Sequence, residues 1–293
     1  MQENEKSQLR EELERDGYCI AKNRLPEPLI SALQSDASAV LFNVDAAHRE
    51  RNRSQGSLVQ LADYPSFAKI IGAPEIRLVM QEMDFPDPRF SSGYLISKPA
   101  QSPALFWHQD WWAWDDAISY TAKIAQVFVM IYLTDTTQTN GCLRVIPGSH
   151  RTEHPLHAAL QAHDESLSRV VDPNHPLYQM HDDAVAVPIH AGDILFGDAR
   201  LLHSTYPNNS EQERSLLTLW FHPNFSDLPA PIKATLRKIY DRTVGDTDPA
   251  GADAVTLDDW PEPELRYISD LLVPKTLGVK PRDWNRGPNW TAS

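Results

Sequence analysis

Cysteine is scarce in this 293-residue sequence, where only Cys19 and Cys142 occur, far apart along the chain. Two distant cysteines provide neither a disulfide framework nor a thiolate metal site. Any metal bound by this protein must therefore be held by histidine and carboxylate groups. The shortage also favours a reducing, cytoplasmic location, since disulfide-rich domains are typical of secreted proteins.

Long apolar runs and excess positive charge are missing as well. No stretch approaches the roughly 20 apolar residues that a membrane-spanning helix requires. The charged start, MQENEKSQLREELERDG, has no apolar core of the kind found in secretory signals. Lysine and arginine number 27 against 40 acidic residues, a net charge of −13. Because nucleic acids and anionic membranes select for basic surfaces, we expect neither as a partner.

Short segments rich in β-branched and aromatic residues fill the middle of the chain. Turn residues separate them, as in Asn140-Gly141 and Ala191-Gly192-Asp193. Many short strands at this spacing are typical of a sandwich or barrel. We predict a mainly β protein with flanking helices and a double-stranded β-helix core of the jelly-roll, cupin-like type. The segments concerned are YLIS, LFWHQD, AQVFVMIYLTD, CLRVIP, DAVAVPI, DILFGD, LLHSTY and RSLLTLWF.

The remaining stretches predict how the domain is organised. We expect a single domain over 1–293, with an N-terminal helical flank (1–90) and a jelly-roll core (91–225). The polar, proline-punctuated stretch 151–183 interrupts the core and is predicted to be a lid-like insertion, because long excursions between strands often cover binding sites. A helical and irregular extension (226–293) follows.

The tail leaves the oligomeric state open between a monomer and a homodimer. Its tryptophans could cover either the protein's own core or a partner subunit. These tryptophans are Trp260, Trp284 and Trp290.

The stretch FWHQDWWAW, residues 106–114, surrounds one histidine and one aspartate with aromatic rings. It predicts a strand, in which residues two apart point to the same side. His108 and Asp110 would then converge, with Trp112 and Trp114 on their side of the strand. On its own this pattern is more often a histidine paired with a neighbouring acid than a metal site.

His203 lies in a later apolar strand and is the best candidate for a third ligand. Two histidines and one carboxylate hold iron(II) on one face and leave coordination positions free. The midpoint between His203 and Arg214 falls in Asn208-Asn209, so we predict a hairpin that brings Arg214 opposite His203. A guanidinium fork binds a carboxylate in a bidentate manner, which a 2-oxoglutarate site requires. The alternative readings are a hydrogen-bonded core histidine and a solvated edge arginine.

Several motifs occur in a fixed order: EELERDGYCIAKNRLPEPLI, SKPAQSPALFWHQDWW, NGCLRVIPGSH and AGDILFGDARLLHSTYPNNSEQERSLLTLWF. In this order, over roughly residues 8–224, the chain resembles the phytanoyl-CoA dioxygenase family of iron(II)- and 2-oxoglutarate-dependent oxygenases. The resemblance implies three iron ligands and a distal-carboxylate anchor, with further polar residues near the cosubstrate. The ligands are His108, Asp110 and His203, the anchor is Arg214, and the further residues are Lys98, Thr205 and Gln126.

The resemblance further implies that iron(II), 2-oxoglutarate and O2 together hydroxylate, or otherwise oxidise, an unactivated C–H bond and release succinate and CO2. Since halogenases of this kind replace the carboxylate ligand with a small residue, Asp110 favours oxygenation. The substrate is expected to be a small to medium-sized organic molecule, with a specialised metabolite as one candidate. Two alternatives stay open: a cupin-like metal-dependent oxygenase that does not use 2-oxoglutarate, and a non-catalytic jelly-roll binding protein.

Overall fold

Ten strands make up the two sheets of the computed structural model, which describes residues 7–160, 165–241, 257–283 and 287–290. The strands are β1 (Tyr18–Ala21), β2 (Val59–Gln60), β3 (Arg89–Lys98), β4 (Leu105–His108), β5 (Val127–Tyr132), β6 (Leu143–Val145), β7 (Val185–Val187), β8 (Ile194–Asp198), β9 (His203–Thr205) and β10 (Arg214–His222). The α-helices within the described residues are α1 (Gln8–Asp16), α2 (Glu27–Leu41), α3 (Ala46–Arg51), α4 (Ala68–Ile71), α5 (Pro74–Glu82), α6 (Glu165–Ser168), α7 (Ala230–Asp241) and α8 (Glu262–Ile268).

The larger sheet has six strands in the order β1-β8-β5-β10-β3-β2, and the smaller has four in the order β4-β9-β6-β7. Every strand pair in both sheets is antiparallel. Strands adjacent in space are mostly distant in sequence, as in a jelly roll. The predicted mainly β fold with a double-stranded β-helix core and flanking helices is confirmed.

Strand β5 shows why the two layers form. All six of its residues are buried. Alternate side chains point to opposite faces of a strand, so Val127, Val129 and Ile131 pack with apolar residues of the N-terminal helices, such as Leu33. The intervening residues, Phe128 among them, pack against the smaller sheet. The uninterrupted apolar run therefore follows from the strand's position between the helices and the second sheet.

The turn after His203 does not close the predicted hairpin. Strand β9 pairs with β4 and β6, whereas β10 pairs with β3 and β5, so the chain crosses from one sheet to the other. The side-chain amide of Asn208 donates to the carbonyl oxygens of Lys98 and Pro99 at 3.1 and 2.9 Å. These bonds tie the turn to the end of β3. Arg214 therefore faces Lys98 in the larger sheet and lies across the interior from His203.

The tail packs on the rest of the chain. Trp260 is buried, and its indole nitrogen donates to the carbonyl of Ala62 at 2.8 Å. Trp290 packs against Trp114 and Tyr120 with ring centroids 5.8 and 5.7 Å apart. These two tryptophans thus cover the protein's own core, while Trp284 lies outside the described residues. Among the described helices, none combines the length and apolar character that crossing a membrane requires.

Candidate metal centre and anion pocket

Two histidines meet where β4 ends and β9 begins. His108 and His203 are register partners, with ring centroids 4.1 Å apart. Strand β4 stops at His108, so the strand predicted over 106–114 is wrong beyond that residue. The backbone N–H groups of Asp110 and Trp111 both donate to the carbonyl of Ala199, at 2.9 and 2.8 Å. The chain therefore turns after His108. This turn, and not the alternation of side chains along a strand, brings the Asp110 carboxylate to the histidines.

The three side chains present their ligand atoms to one point. One ligand atom from each of His108, Asp110 and His203 lies within 4.8 Å of the others. The Asp110 oxygens are 3.7 Å from Nε2 of His108 and 3.8 Å from Nε2 of His203. The Nδ1 atoms lie 3.0 Å from the carbonyl oxygens of Phe106 and Leu201, respectively. Since a carbonyl only accepts, each Nδ1 carries the proton, and the Nε2 atom of each ring is the one that can ligate a metal.

Two aromatic residues that were not predicted from the sequence support this centre. The indole Nε1 of Trp220 donates to Oδ2 of Asp110 at 2.9 Å. The ring of Phe128 lies against His203 with centroids 4.7 Å apart. Trp220 is six residues from Arg214 on β10 and therefore shares its face of the strand. Strand parity counted from Arg214 could have identified it.

A buried cation lies at the start of β10. The Arg214 Nη2 donates to the carbonyl of Gly141 at 2.7 Å, and the guanidinium lies 5.3 Å from the ring centroid of Tyr132. Within the described residues, its Nε and Nη1 atoms are buried without hydrogen-bond partners, and so is the hydroxyl of Thr205. Donors with buried, unused hydrogen-bonding capacity are costly unless a ligand satisfies them. They fit a bound carboxylate.

Lys98, the register partner of Arg214, is also buried. Its Nζ donates to the carbonyl of Ser54 at 2.7 Å. Burial lowers the pKa of Lys98 well below its usual value, and the positive charges of Arg214 and Arg144 lower it further. Burial likewise lowers the pKa of Arg214. Over the described part of the chain, neither cation forms an ion pair with a carboxylate, so this end of the interior is electrostatically suited to an anion.

One cavity of about 290 Å³ joins the two regions. His108, Asp110 and His203 line it together with Arg214 and Thr205. Two histidines and a carboxylate with open space beside them match a facial iron(II) site, and a keto acid between the metal and Arg214 would occupy the same cavity.

Gln126 also lines this cavity, as the sequence suggested. Its backbone carbonyl accepts from the N–H of Ala199, whose own carbonyl accepts from the N–H of Asp110. Gln126 therefore lies beside the metal ligands. It precedes β5 at the end where Val127 pairs with Phe221 of β10, far from the Arg214 end.

The tryptophans beside the motif divide between two environments. Trp112 lines the cavity. Trp114 does not, because the strand ends before it, and its ring packs against Tyr120 instead. Trp107 points to the opposite side of β4, where its indole donates to the carbonyl of Gln179 at 2.9 Å.

The insertion packs on that outer side of β4. Its leucines Leu156, Leu167 and Leu177 form an apolar cluster with Phe106 and Trp107. Residues 161–164 lie outside the described residues, and none of the others between 151 and 183 lines the cavity. The lid-like role of the insertion therefore stays a prediction.

A second group of possible metal ligands lies in the insertion, where His154, His181 and Asp183 approach one another. The Nδ1 of His154 accepts a hydrogen bond from the N–H of Leu156 at 3.1 Å. A neutral ring that accepts at Nδ1 carries its proton on Nε2. That Nε2 lies 3.0 Å from the Asp183 carboxylate, to which it donates. Both ring nitrogens of His154 thus form hydrogen bonds to other residues of the insertion.

Comparison with known proteins places this geometry in context. The sequence model of the phytanoyl-CoA dioxygenase (PhyH) family matches residues 13–216. Phytanoyl-CoA dioxygenase 1 of Oryza sativa subsp. japonica is 24% identical over 159 residues, which make up 53% of this chain and 52% of the rice protein. The chain spans about half the length, or less, of three curated relatives that it matches: 27%, 52% and 38%.

Two solved structures have the same fold. The epimerase SnoN, in complex with Fe3+, alpha ketoglutarate and nogalamycin RO, is similar at a TM-score of 0.55 and 19% identity, over 84% of this chain and 91% of SnoN. EctD from S. alaskensis with bound Fe is similar at a TM-score of 0.57 and 20% identity, over 78% of this chain and 80% of EctD. At these identities the likeness supports the fold alone.

Proposed function

This chain belongs to the phytanoyl-CoA dioxygenase family, and on that premise we propose that it is an iron(II)- and 2-oxoglutarate-dependent dioxygenase. Its reaction would oxidise an unactivated C–H bond of a small to medium-sized organic molecule. If the reaction is a hydroxylation, then 2-oxoglutarate, O2 and R–H become succinate, CO2 and R–OH.

The observation that carries the proposal is the pairing of a facial ligand set with a buried, unpaired guanidinium in one cavity. His108, Asp110 and His203 present two nitrogens and a carboxylate, the donor set typical of iron(II) oxygenases. Arg214 offers two unused donor atoms of its fork. When bound, the iron and its keto acid supply the oxidising chemistry. The residues of the chain bind the keto acid and the substrate, orient them and exclude water.

Binding of the cosubstrate falls to the residues at the Arg214 end. The Arg214 fork would take the distal carboxylate in a bidentate manner, and the Thr205 hydroxyl, also unpartnered, would add a hydrogen bond. Lys98 lies opposite Arg214, and a bound carboxylate would favour the charged form of Lys98 that burial disfavours. These fixed groups would orient the keto acid toward the histidines, and the aromatic wall would keep water away.

The cupin-like alternative leaves Arg214 unexplained. An oxygenase that does not bind 2-oxoglutarate would need another anion to compensate the buried Arg214 guanidinium. Such a cation costs folding free energy unless a ligand compensates for it. Two other buried arginines use their donors within the fold, since Arg200 pairs with Asp198 at 2.6 Å and Arg144 donates to the Ser204 hydroxyl at 3.0 Å.

The test is succinate formation by the purified protein supplied with iron(II), 2-oxoglutarate and O2. We expect slow succinate release that requires both iron and O2, because such a centre turns over its cosubstrate at a low rate without substrate. His108→Ala should abolish release, while His190→Ala, at an exposed histidine, should leave it unchanged. Absence of succinate from iron-loaded wild-type protein would contradict the proposal.

A further inference from the structure

We infer that the substrate is an uncharged, largely apolar molecule carrying at least one hydroxyl group. This inference rests on the proposed function and concerns the part of the cavity beyond the metal ligands. Three observations carry it: the scarcity of charged groups in the described wall, two buried polar groups in that wall without partners, and the aromatic and aliphatic surfaces around them.

The cavity wall contains few charged groups. Among the residues that line it within the described part of the chain, Asp110 and Arg214 are the only ones with a carboxylate, ammonium or guanidinium group. Asp110 is a proposed metal ligand, and its Oδ2 already accepts from Trp220. The remaining polar lining consists of the imidazoles of His108 and His203, the other two proposed metal ligands, and of hydroxyl, amide, phenol and indole groups.

Arg214 cannot serve a charged substrate, because it stands at the cosubstrate end. Strand β10 runs from Arg214 to His222, and it rises about 3.4 Å per residue. Arg214 is the proposed partner of the distal carboxylate of 2-oxoglutarate, and Trp220, which contacts Asp110, is six residues farther along the strand. A carboxylate or ammonium group of the substrate would therefore lie in a desolvated site without a counter-charge, which is strongly unfavourable.

Two buried polar groups in the wall lack hydrogen-bond partners. The Oγ1 of Thr218 and the side-chain oxygen of Gln126 are buried without a partner. Thr218 is fully buried, Gln126 is 6% exposed, and both line the cavity. An amide and a hydroxyl can each exchange a hydrogen bond with an alcohol. Because Gln126 lies beside Asp110, a hydroxyl bound there would fix the substrate close to the metal.

The rest of this wall is apolar. Trp112 and Trp220 line it, and the ring of Tyr94 stands edge-on to Trp220 with centroids 5.7 Å apart. Leu236 and Ile239 of helix α7 complete the apolar part of the lining. Large aromatic and aliphatic surfaces of this kind bind the apolar body of a ligand, while a few polar groups set its orientation.

The test compares probes that share an apolar body and differ in their polar group, which is a hydroxyl, a carboxylate or an ammonium. Protein loaded anaerobically with iron(II) and saturating 2-oxoglutarate, so that Arg214 is occupied, is titrated with 2-naphthol, 2-naphthoate and 2-naphthylmethylammonium. A second set consists of 1-octanol, octanoate and octylammonium. Binding is read by ligand-detected NMR and calorimetry. We expect at least one of the two alcohols to bind about tenfold or more tightly than both of its ionic analogues, a difference of about 1.4 kcal/mol.

Variants of the cavity wall test separately the hydrogen bonds that Thr218 and Gln126 would form with the substrate. Thr218→Val and Gln126→Leu should each weaken binding of that alcohol several-fold, and Thr218→Val should leave 2-oxoglutarate binding unchanged. Thr134→Val, at an exposed threonine, is the matched control. An ionic analogue that binds as tightly as its alcohol, or failure of both alcohols to bind, overturns the inference. Failure of the proposed function would appear separately, as loss of 2-oxoglutarate binding before any probe is added.

Discussion

The indole of Trp220 donates a hydrogen bond to the carboxylate of Asp110 across 2.9 Å. This bond joins the larger sheet, through β10, to the loop that follows β4 in the smaller sheet. It fixes the one ligand that lies outside a strand, since His108 and His203 are held by β4 and β9. Hydrogen bonds of this kind orient a ligand and strengthen metal binding.

Trp220→Phe should therefore weaken iron(II) binding. We expect the dissociation constant to rise by about 10- to 100-fold, the range typical for loss of a hydrogen bond to a metal ligand. Anaerobic competition with a chromogenic chelator measures it. Trp260→Phe is the matched control, because the indole of this tail residue donates to the carbonyl of Ala62 and not to a metal ligand. Equal iron affinity in Trp220→Phe and wild type would show that Asp110 is positioned without the indole.

Arg214→Met should lose 2-oxoglutarate affinity and keep the fold. Truncating one partner of a buried, hydrogen-bonded charge pair costs about 2–5 kcal/mol of binding free energy. Calorimetry on the iron-loaded protein measures this loss, and Arg49→Met serves as control, since Arg49 pairs with Glu213 nearer the surface.

The same variant makes a prediction about stability. Without ligand, Arg214→Met should melt no lower than wild type, because it removes a buried charge that has no acidic partner. Added 2-oxoglutarate should raise the melting temperature of the wild type much more than that of the variant. A variant that unfolds at markedly lower temperature without ligand would mean that Arg214 serves the fold.

His222 should make stability depend on pH. The ring is fully buried, and burial lowers the pKa of His222 from 6.5 to about 4. Between these values the unfolded chain binds more protons, so the stabilisation is complete above pH 6.5 and is lost as the pH falls toward 4. The loss amounts to about 3 kcal/mol.

Denaturant unfolding of His222→Gln between pH 7 and 4.5 tests this assignment. Glutamine can still donate to the Ala125 carbonyl, which lies 2.9 Å from the histidine Nδ1, but it does not titrate. The free energy of unfolding of the variant should decline less steeply with acid than that of wild type. His190→Gln, at a largely exposed ring, should keep the wild-type slope. Identical slopes for all three proteins would place the acid sensitivity elsewhere.

Residue chemistry made much of this site predictable. His108, Asp110 and His203 are the types that iron(II) requires, and the structure brings them together. Arg214 is buried and lines the same cavity, as a carboxylate anchor should. The jelly-roll fold could be predicted as well, because many short strands with turn residues between them leave few other architectures.

The connections between strands were not predictable from local pattern. Asp110 reaches the metal site through a turn held by Ala199, a residue almost ninety positions later. Arg214 lies opposite Lys98 because β10 belongs to the larger sheet. The position of β10 depends on its non-local pairing with β3 and β5. Strand parity and hairpin symmetry describe single strands and neighbouring ones, so they could not reveal either relationship.

The most direct test of the account is the visible spectrum of the protein with iron(II) under anaerobic conditions, before and after addition of 2-oxoglutarate. A keto acid chelated to iron(II) gives a weak charge-transfer band. We predict that wild type develops this band, that His108→Ala fails to develop it, and that Arg214→Met requires far more 2-oxoglutarate to reach it. Iron-loaded wild-type protein that shows no band at saturating 2-oxoglutarate would contradict the account.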